Sequence, residues 1–296
     1  MRDETPMIHV LGNATVDLTL NLSTLPLAGE TVLARTLARG PGGKGLNQAV
    51  AAARAGAQVR LIAPVGTDAE ARILTLALKA EPGLETRWRR ADHPTDLSCI
   101  WVAEDGENMI ASTAHCARAI GPDEVPELLG DLLPDDILVV QGNLGEETTR
   151  AACIYARAAG TLVLFNTAPI DWPAERTAAL ADIVVSNLPE AEAITGRGGL
   201  PAARALAAIA RRAAIVTLGA EGAILADARG ETRLPAPRVT ARDTSGAGDT
   251  AVGYLAAALA RGEELIPAVR LALAAASLSV TRDGIFGAIP RREELG

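Results

Sequence analysis

Short apolar runs alternate with longer alanine-rich stretches along almost the whole chain, and this alternation constrains the fold more than any other feature. The apolar runs are continuous, which is typical of strands buried on both faces of a sheet. The predicted strands cover residues 8–11, 59–64, 137–140, 162–165, 183–185, 215–218 and 223–226. The predicted helices cover residues 47–55, 68–78, 146–159, 188–195, 201–212, 249–261 and 266–280. This order predicts an α/β protein with a mostly parallel central sheet and helices on both faces.

Two segments depart from this pattern and predict a small second β layer. Residues 16–22 alternate strictly between apolar and polar side chains, and residues 97–112 are typical of two strands around an Asp105-Gly106 turn. Strands with one apolar face do not fit a sheet that helices cover on both sides. We expect one domain over residues 1–296, with a β lid from about residues 13–38 and 95–114. Such a layer could close over a cleft or form a dimer surface.

Composition excludes several classes of protein. With 296 residues, 49% of them hydrophobic, the chain can bury one large core and is expected to be a soluble globular protein. The net charge of −8 and the 2% aromatic content argue against a nucleic-acid partner. The acidic start and the lack of long apolar runs argue against export and membrane insertion. Three cysteines without C-x-x-C spacing fit a cytoplasmic protein.

Polar or flexible residues follow several of the predicted strands. They are Gly12, Asn13, Gly66, Gln141, Gly142, Asn143, Asn166, Asn187 and Gly219. Ligands of open parallel sheets bind outside the carboxyl ends of the strands, so these residues are expected to line one cleft. The alternative is that Gly and Asn simply end the strands.

A glycine-containing junction, Asp243-Thr244-Ser245-Gly246-Ala247-Gly248-Asp249, leads directly into a predicted helix. Its glycines allow a tight turn that aims backbone N–H groups at one point, where the helix dipole favours an anion. Asp249 lies on the first helical turn, where a base for phosphoryl transfer would reach the attacking group. We expect substitution of Gly246 or Gly248 to act through the backbone position. The alternative is an ordinary turn and helix start.

A second junction, Gly40-Pro41-Gly42-Gly43-Lys44-Gly45, lies about 200 residues upstream and also precedes an alanine-rich helix. Two such junctions suggest the two walls of one cleft. The spacing formally fits the G-x-G-x-x-G motif of dehydrogenases, but no acid ends the strand predicted at residues 59–64. It is not a Walker A loop, because Gly45 follows Lys44 where that motif has Ser or Thr.

Together these residues resemble the ribokinase-like, or PfkB-type, carbohydrate kinases over nearly the whole chain. Gly42-Gly43-Lys44-Gly45 with Asn47-Gln48 matches one family signature, and Asp243-Thr244 with Gly246-Ala247-Gly248-Asp249 matches the other. The resemblance implies an ATP-dependent kinase with an α/β core and a β lid, often a dimer through that lid. It also implies that Asp249 is the base and that the amides of Gly246, Ala247 and Gly248 form the anion hole.

The same resemblance assigns the remaining site residues. Asp17, Gly42, Gly43 and Asn47 would hold sugar hydroxyls, with Lys44 nearby. Asn187 and Glu190 match an element associated with phosphate and, indirectly, Mg²⁺. Thr217, Gly219 and Gly222 would border the nucleotide, and Asp243 would help to hold a K⁺ ion. The implied cofactors are therefore ATP, Mg²⁺ and K⁺.

Two positions bear on the substrate. Family members that phosphorylate ribose usually carry Asn where this chain has Thr15, and Glu where it has Asn143; both are sugar-contact positions. Because a site built for one hydroxyl can strongly reject an analogue without it, such exchanges could redirect specificity. We expect a pentose or related small sugar, with ribose the first choice. A kinase for another sugar, a sugar acid or a nucleoside stays open, and a non-catalytic sugar-binding protein or a nucleotide-dependent dehydrogenase is a more distant alternative.

Overall fold

The computed structural model describes residues 6–104 and 107–296, which contain two β-sheets. The strands are β1 (Met7–Leu11), β2 (Thr15–Leu22), β3 (Thr36–Gly42), β4 (Gln58–Val65), β5 (Leu84–Arg90), β6 (Leu97–Ala103), β7 (Asn108–Ser112), β8 (Ile137–Gln141), β9 (Leu162–Asn166), β10 (Ile183–Asn187), β11 (Ala213–Thr217), β12 (Ala223–Asp227) and β13 (Gly230–Leu234). The α-helices are α1 (Lys44–Arg54), α2 (Ala69–Leu78), α3 (Val125–Leu128), α4 (Glu146–Ala158), α5 (Glu175–Ala178), α6 (Leu188–Thr195), α7 (Gly199–Ile209), α8 (Ala247–Ala260) and α9 (Leu265–Ser279). Within these described ranges, no helix is both long and apolar enough to cross a membrane.

The large sheet has nine strands in the order β13-β12-β11-β10-β9-β8-β1-β4-β5. Pairing is parallel from β5 through β11 and antiparallel at β11-β12 and β12-β13. The prediction of a mostly parallel sheet is confirmed. The edge strands β5 and β13 were not among the predicted strands, because an edge strand has polar surroundings and lacks a continuous apolar run.

Helices cover both faces of this sheet, as predicted. One core cluster joins α1, α8 and α9 to alternate strand residues such as Ile137 and Val139. The other joins α4 and α7 to the intervening residues Leu138 and Val140. The opposite faces of one strand therefore supply both cores, which explains the continuous apolar runs in the sequence.

The small sheet has the order β3-β2-β6-β7 and is mixed. The β2-β3 and β6-β7 pairs are antiparallel, and β2-β6 is parallel. The pairing of β6 with β7 confirms the two strands predicted within residues 97–112, while the Asp105-Gly106 turn lies outside the described residues. β3 ends at Gly42, so this sheet runs directly into the first glycine junction. The lid boundaries of about 13–38 and 95–114 stay a prediction.

Two features of the fold bring the glycine junctions together. The strand β1 lies between β4 and β8, so the chain winds in opposite directions on either side of it and leaves a crevice at the carboxyl ends. Helices α1 and α8 cross very closely at Gly253, where a Cβ atom would lie 2.5 Å from both the Ala51 Cβ atom and the Gln48 carbonyl oxygen. Because α1 begins at Lys44 and α8 at Ala247, this crossing places both helix starts at the crevice.

Candidate active site

Two cavities open at the carboxyl edge of the large sheet and share part of their walls. One, of about 620 Å³, is bordered by Asn187, Glu190, Thr217 and Gly219. The other, of about 730 Å³, lies under the small sheet and is bordered by Asp17, Asn47, Ser98 and Asn143. Lys44, Gly246 and Asp249 line both. The residues that the sequence predicts for phosphoryl transfer therefore lie where two ligand spaces meet.

Asp249 lies in the first turn of α8 and is only 6% exposed. Its Oδ1 atom accepts a hydrogen bond of 2.9 Å from Gln48 Nε2, and its Oδ2 atom a longer one of 3.4 Å from Asn47 Nδ2. Both donors come from α1, which begins at the first junction. The carboxylate is thus held by neutral amides beside the first junction, a geometry that suits a proton acceptor.

A chain of buried amides continues behind Asp249. The sequence predicts that two of its members, Gln141 and Asn166, line the cleft, but it does not predict their contacts with Gln48. Gln48 Nε2 also donates to Asn166 Oδ1 at 3.1 Å, while Gln141 Nε2 donates to Gln48 Oε1 at 2.9 Å. Asn166 Nδ2 in turn donates to the Val185 carbonyl oxygen at 3.2 Å. The available signal was the position of Gln141 and Asn166 at the ends of β8 and β9, where polar side chains are exceptional in apolar strands.

The first junction is anchored by Asn13, which follows β1. The Asn13 side-chain oxygen accepts the Gly45 N–H at 3.2 Å, and the Asn13 carbonyl oxygen accepts the Leu46 N–H at 3.0 Å. Gly43, with φ of 97°, is the N-cap of α1. A Cβ atom at Gly43 would lie 2.9 Å from the backbone of Ala14, which explains the glycine.

Asp17 projects from β2 into the 730 Å³ cavity. Burial raises the pKa of Asp17, hydrogen bonds from the Thr15 and Ser98 hydroxyls oppose part of that shift, and the nearby Asp249 charge adds to it. Thr15 is buried and donates to Asp17 Oδ1 at 2.8 Å. It is not among the residues lining this cavity, so a direct contact of Thr15 with sugar stays a prediction.

The remaining predicted sugar ligands fall into two groups. Asn47, Asn143, Gly43 and Lys44 line the 730 Å³ cavity, and the Oδ1 atoms of Asn47 and Asn143 are buried without a hydrogen-bond partner in the described structure. Such oxygens are suited to accept hydroxyl groups of a ligand. Gly42 lies beside the Asp17 carboxylate, which a Cβ atom at Gly42 would strike.

The second junction turns sharply into α8. Gly246 is its N-cap, with φ of 73°, and the first intrahelical bond runs from the Thr250 N–H to the Gly246 carbonyl oxygen at 2.9 Å. The Ala247 N–H makes a long bond of 3.4 Å to the Thr244 carbonyl oxygen. The amides of Gly248 and Asp249 precede the first intrahelical donor, where helices leave N–H groups for a ligand.

Asp243 connects the second junction to the loop after α9 through hydrogen bonds. Its Oδ1 atom accepts the Ser245 N–H at 2.8 Å, and its Oδ2 atom accepts the Gly284 N–H at 3.1 Å. The carboxylate therefore lies between two loops, one of which carries the amides predicted to form the anion hole. Its predicted role as a K⁺ ligand is not tested by these contacts.

Asn187 and Glu190 form the start of α6 at the edge of the 620 Å³ cavity. Asn187 Oδ1 accepts the Glu190 N–H, and Asn187 Nδ2 donates to Glu190 Oε1, both at 2.8 Å. Thr167 donates to Glu190 Oε2 at 2.7 Å. In the described residues there is no group of three or more His, Cys, Asp or Glu side chains that could hold a metal ion.

Thr217 and Gly219 line the same cavity, but Gly222 does not. Gly222 has φ of 99°, and a Cβ atom there would lie 2.6 Å from the Ala236 amide nitrogen, so it serves the turn before β12. The nucleotide role predicted for Gly222 stays a prediction. The polar strand ends Asn166, Asn187 and Gly219 line this cavity, while Asn13, Gly142 and Asn143 line the other.

The model of the pfkB family of carbohydrate kinases matches residues 5–291. The chain is 33% identical to the ribokinase of Bacillus subtilis over 289 residues, covering 97% of both chains. It is 31% identical to the deoxyribokinase of Salmonella typhi over 299 residues, covering 97% of this chain and 96% of that one. The structure of a ribokinase from Thermotoga maritima superposes with a TM-score of 0.87 at 28% identity, covering 98% of each chain.

These matches cover both cavities and both junctions, and the dehydrogenase and non-catalytic alternatives are not supported. The chain belongs to the pfkB family of carbohydrate kinases and is an ATP-dependent sugar kinase, a phosphotransferase with an alcohol group as acceptor.

Proposed function

We propose that the protein transfers the γ-phosphoryl group of ATP to a hydroxyl group of a pentose, with ribose as the first candidate. The observation that carries this proposal is the meeting of two cavities at Lys44, Gly246 and Asp249. A sugar in the 730 Å³ cavity and a nucleotide in the 620 Å³ cavity would bring a hydroxyl and a phosphate to that meeting point. Similarity to ribokinases along the whole chain supports ribose.

Each residue then has a physical task. Asp17, Asn47 and Asn143 would accept or donate hydrogen bonds to sugar hydroxyls and hold one hydroxyl beside Asp249. The hydroxyl oxygen attacks the γ-phosphorus, the bond to the bridging oxygen breaks with its electron pair going to ADP, and Asp249 takes the hydroxyl proton. The first-turn amides of α8 and the Lys44 ammonium stabilise the charge on the moving phosphoryl group.

The metal ions expected from the sequence fit this arrangement. The Glu190 oxygens are engaged by Thr167 and Asn187, so Glu190 would hold Mg²⁺ through water, as is common when phosphates supply most ligands. Mg²⁺ would neutralise phosphate charge in this acidic protein. Asp243, between the two loops, would contribute to a K⁺ site. Ala288 stands where ribose kinases carry a Ser, so such a site would have one hydroxyl fewer.

The test is a screen of sugar-dependent ADP release with ribose, 2-deoxyribose, other pentoses, ketohexoses, sugar acids and nucleosides, with and without K⁺. We expect the highest kcat/KM with a pentose, a requirement for Mg²⁺ and stimulation by K⁺. The Asp249→Asn variant is the control for contaminating kinase. A protein that releases ADP with none of these acceptors, or only with nucleosides, would refute the proposal.

A second candidate substrate is 2-deoxyribose. It is favoured by the position of Thr15, whose hydroxyl is used by Asp17 and does not line the cavity. The similarity to a deoxyribokinase supports the same choice. The ratio of kcat/KM for ribose and 2-deoxyribose in the screen decides between them.

We propose also that the protein is a cytoplasmic homodimer joined through the small sheet. The exposed apolar side chains of Leu37 and Met109, which lie in register on the face of that sheet opposite Asp17, support this assembly. Sedimentation of the purified protein tests it, and Leu37→Glu is expected to favour the monomer.

A further inference from the structure

The two oxygen atoms of Asp249 are held unequally. Oδ1 accepts a bond of 2.9 Å from Gln48, which is completely buried, whereas Oδ2 receives the 3.4 Å contact from Asn47. Asn47 itself lines the 730 Å³ cavity, in which the sugar is proposed to bind, so a bound sugar would compete for the Asn47 side-chain amide. The hydrogen bond to Oδ1 is the stronger and the more protected of the two.

The direction of the Gln48 amide is determined by the protein backbone. The Val185 carbonyl oxygen can only accept, so Asn166 presents Nδ2 to Val185 and Oδ1 to Gln48. Gln48 must then present Nε2, which also points at Asp249 Oδ1, and its Oε1 accepts from Gln141. A flipped Gln48 amide would place its oxygen against two acceptors, which is unfavourable in a buried site.

We propose that Gln48 is a positioning residue, which occupies Asp249 Oδ1 and leaves Oδ2 as the atom that receives the proton of the acceptor hydroxyl. The inference rests on the proposed kinase reaction. In that step the sugar oxygen bonds to the γ-phosphorus, ADP leaves with the electron pair of the broken P–O bond, and the proton goes to Oδ2 and then to solvent. Gln48 is a neutral donor and orients the carboxylate through a hydrogen bond alone.

The close crossing of α1 and α8 makes this contact possible. Gly253 lies one helical turn after Asp249 on the same face of α8 and touches Ala51 and the Gln48 carbonyl oxygen. The absence of a side chain at Gly253 lets Gln48 reach Asp249 directly rather than through water. The positioning function therefore depends on two helices whose contacting residues are about 200 positions apart.

The test is a double-mutant cycle on kcat with ribose, or with the best acceptor of the screen. Gln48→Met keeps the size of the side chain and removes its donor. We expect kcat to fall by about 30- to 100-fold, with KM values for sugar and ATP within about threefold, because a misplaced base affects the chemical step rather than binding. In the Asp249→Asn background, where no base remains, the same change should cost less than about threefold.

Two further variants separate positioning from stability. Gln141→Met removes the support of Gln48 and should lower kcat by about 3- to 10-fold, again only when Asp249 is present. Thr149→Val removes a buried hydroxyl of α4 that donates to the carbonyl oxygen of Gly145, just before the helix, and should lower Tm without changing kcat. Equal losses from Gln48→Met in both backgrounds, or full activity of Gln48→Met, would overturn the inference while leaving the kinase assignment intact. An inactive wild-type protein would instead overturn the kinase proposal and this inference with it.

Discussion

The two glycine junctions look alike in the sequence but differ in what requires their glycines. At the first, Cβ atoms at three of the four glycines would strike protein atoms, namely Asp17 at Gly42, the Ala14 backbone at Gly43 and the Asn13 backbone at Gly45, and only Gly40, at the outer end in β3, has nothing within 4 Å. At the second, Gly246 would bring a Cβ atom within 2.5 Å of the Ile285 Cγ2 atom, whereas nothing in the described structure lies within 4 Å at Gly248. Packing against neighbouring protein atoms therefore requires the glycines at the helix end of the first junction. At Gly248, by contrast, the space beside the backbone is not filled by protein atoms.

This difference changes the interpretation of Gly248. From the sequence, substitution of Gly246 and substitution of Gly248 are expected to act alike, through the backbone. Gly246 has φ of 73° and meets that expectation, but Gly248 lies inside α8 without a positive φ. An open glycine at a helix start beside the meeting point of two cavities is expected where a phosphate approaches the backbone closely.

The largest expected effect is at Asp249, the proposed base at the second junction. Asp249→Asn should lower kcat by about 10²- to 10⁴-fold, or about 3 to 5 kcal/mol of barrier, with the fold retained. Steady-state ADP release, circular dichroism and Tm are the measurements. Near-normal turnover would contradict the assignment of Asp249 as base.

Gly248→Ala tests whether the open space at the second junction is needed for ATP. A methyl group would occupy the space left for phosphate, and kcat/KM for ATP should fall by about 10²-fold, similar to the loss of one anion-hole donor. Stability should be unchanged or higher by about 0.5 to 1 kcal/mol, because Ala is favoured over Gly in helices.

The matched control for Gly248→Ala is Gly145→Ala, which also meets nothing within 4 Å but lies before α4 and lines neither cavity. It should leave kcat/KM unchanged. If Gly248→Ala were fully active, the proposed approach of phosphate to this amide would be wrong.

Gly43→Ala tests the packing at the first junction. A left-handed φ costs roughly 1 to 2 kcal/mol for a residue with a side chain, and overpacking adds about 1 to 3 kcal/mol. We therefore expect urea unfolding to show a loss of about 2 to 5 kcal/mol. Gly29→Ala, with φ of 88° and nothing within 4 Å, is the control that carries the φ cost alone. Equal losses for both variants would show that packing against Ala14 contributes nothing.

The smallest expected effect is a pH dependence at Asp17, which lies beside Gly42. Its pKa is raised mainly by burial, so its ionised form is disfavoured in the folded protein. This destabilisation is present at neutral pH and is relieved as the pH falls through the raised pKa. Asp17→Asn should therefore raise Tm slightly at pH 7 and lose that advantage at acid pH.

Sugar binding should show the opposite dependence. In the proposed complex the ionised Asp17 carboxylate would accept sugar hydroxyl groups. KM for the sugar should therefore increase as the pH falls through the raised pKa of Asp17. In Asp17→Asn this acid limb should disappear and KM should be high throughout. A KM that is independent of pH in the wild type would argue against Asp17 as a ligand.

Much of the fold could be predicted because it is encoded locally. Buried strands such as β8 and β9 have continuous apolar runs, and helices such as α2 and α4 have the length and composition of helices. Edge strands such as β5 and β13 were missed, since one face of each meets solvent and the pattern is weak. The small sheet was anticipated from alternation in β2, but the parallel pairing of β2 with β6 was not encoded in either strand alone.

The candidate site was predictable only in part. Motif residues such as Asp249 and Lys44 were identified from the sequence, and the structure brings them together at the two cavities. The amide chain through Gln48 and Asn166 was not assigned a role, since an isolated amide has no chemistry until its partners are known. The contact of Thr15 with sugar stays a prediction, and only the structure shows that its hydroxyl donates to Asp17.

The sequence by itself determined the class of fold, the two glycine junctions and the residue types available for phosphoryl transfer, because backbone preference and apolar periodicity act over a few neighbouring residues. Only the tertiary structure decided that Gln48 faces Asp249 and that Gly248 remains open. These contacts depend on how closely α1 and α8 cross at Gly253, and that distance is set by side-chain volumes on elements far apart in the chain.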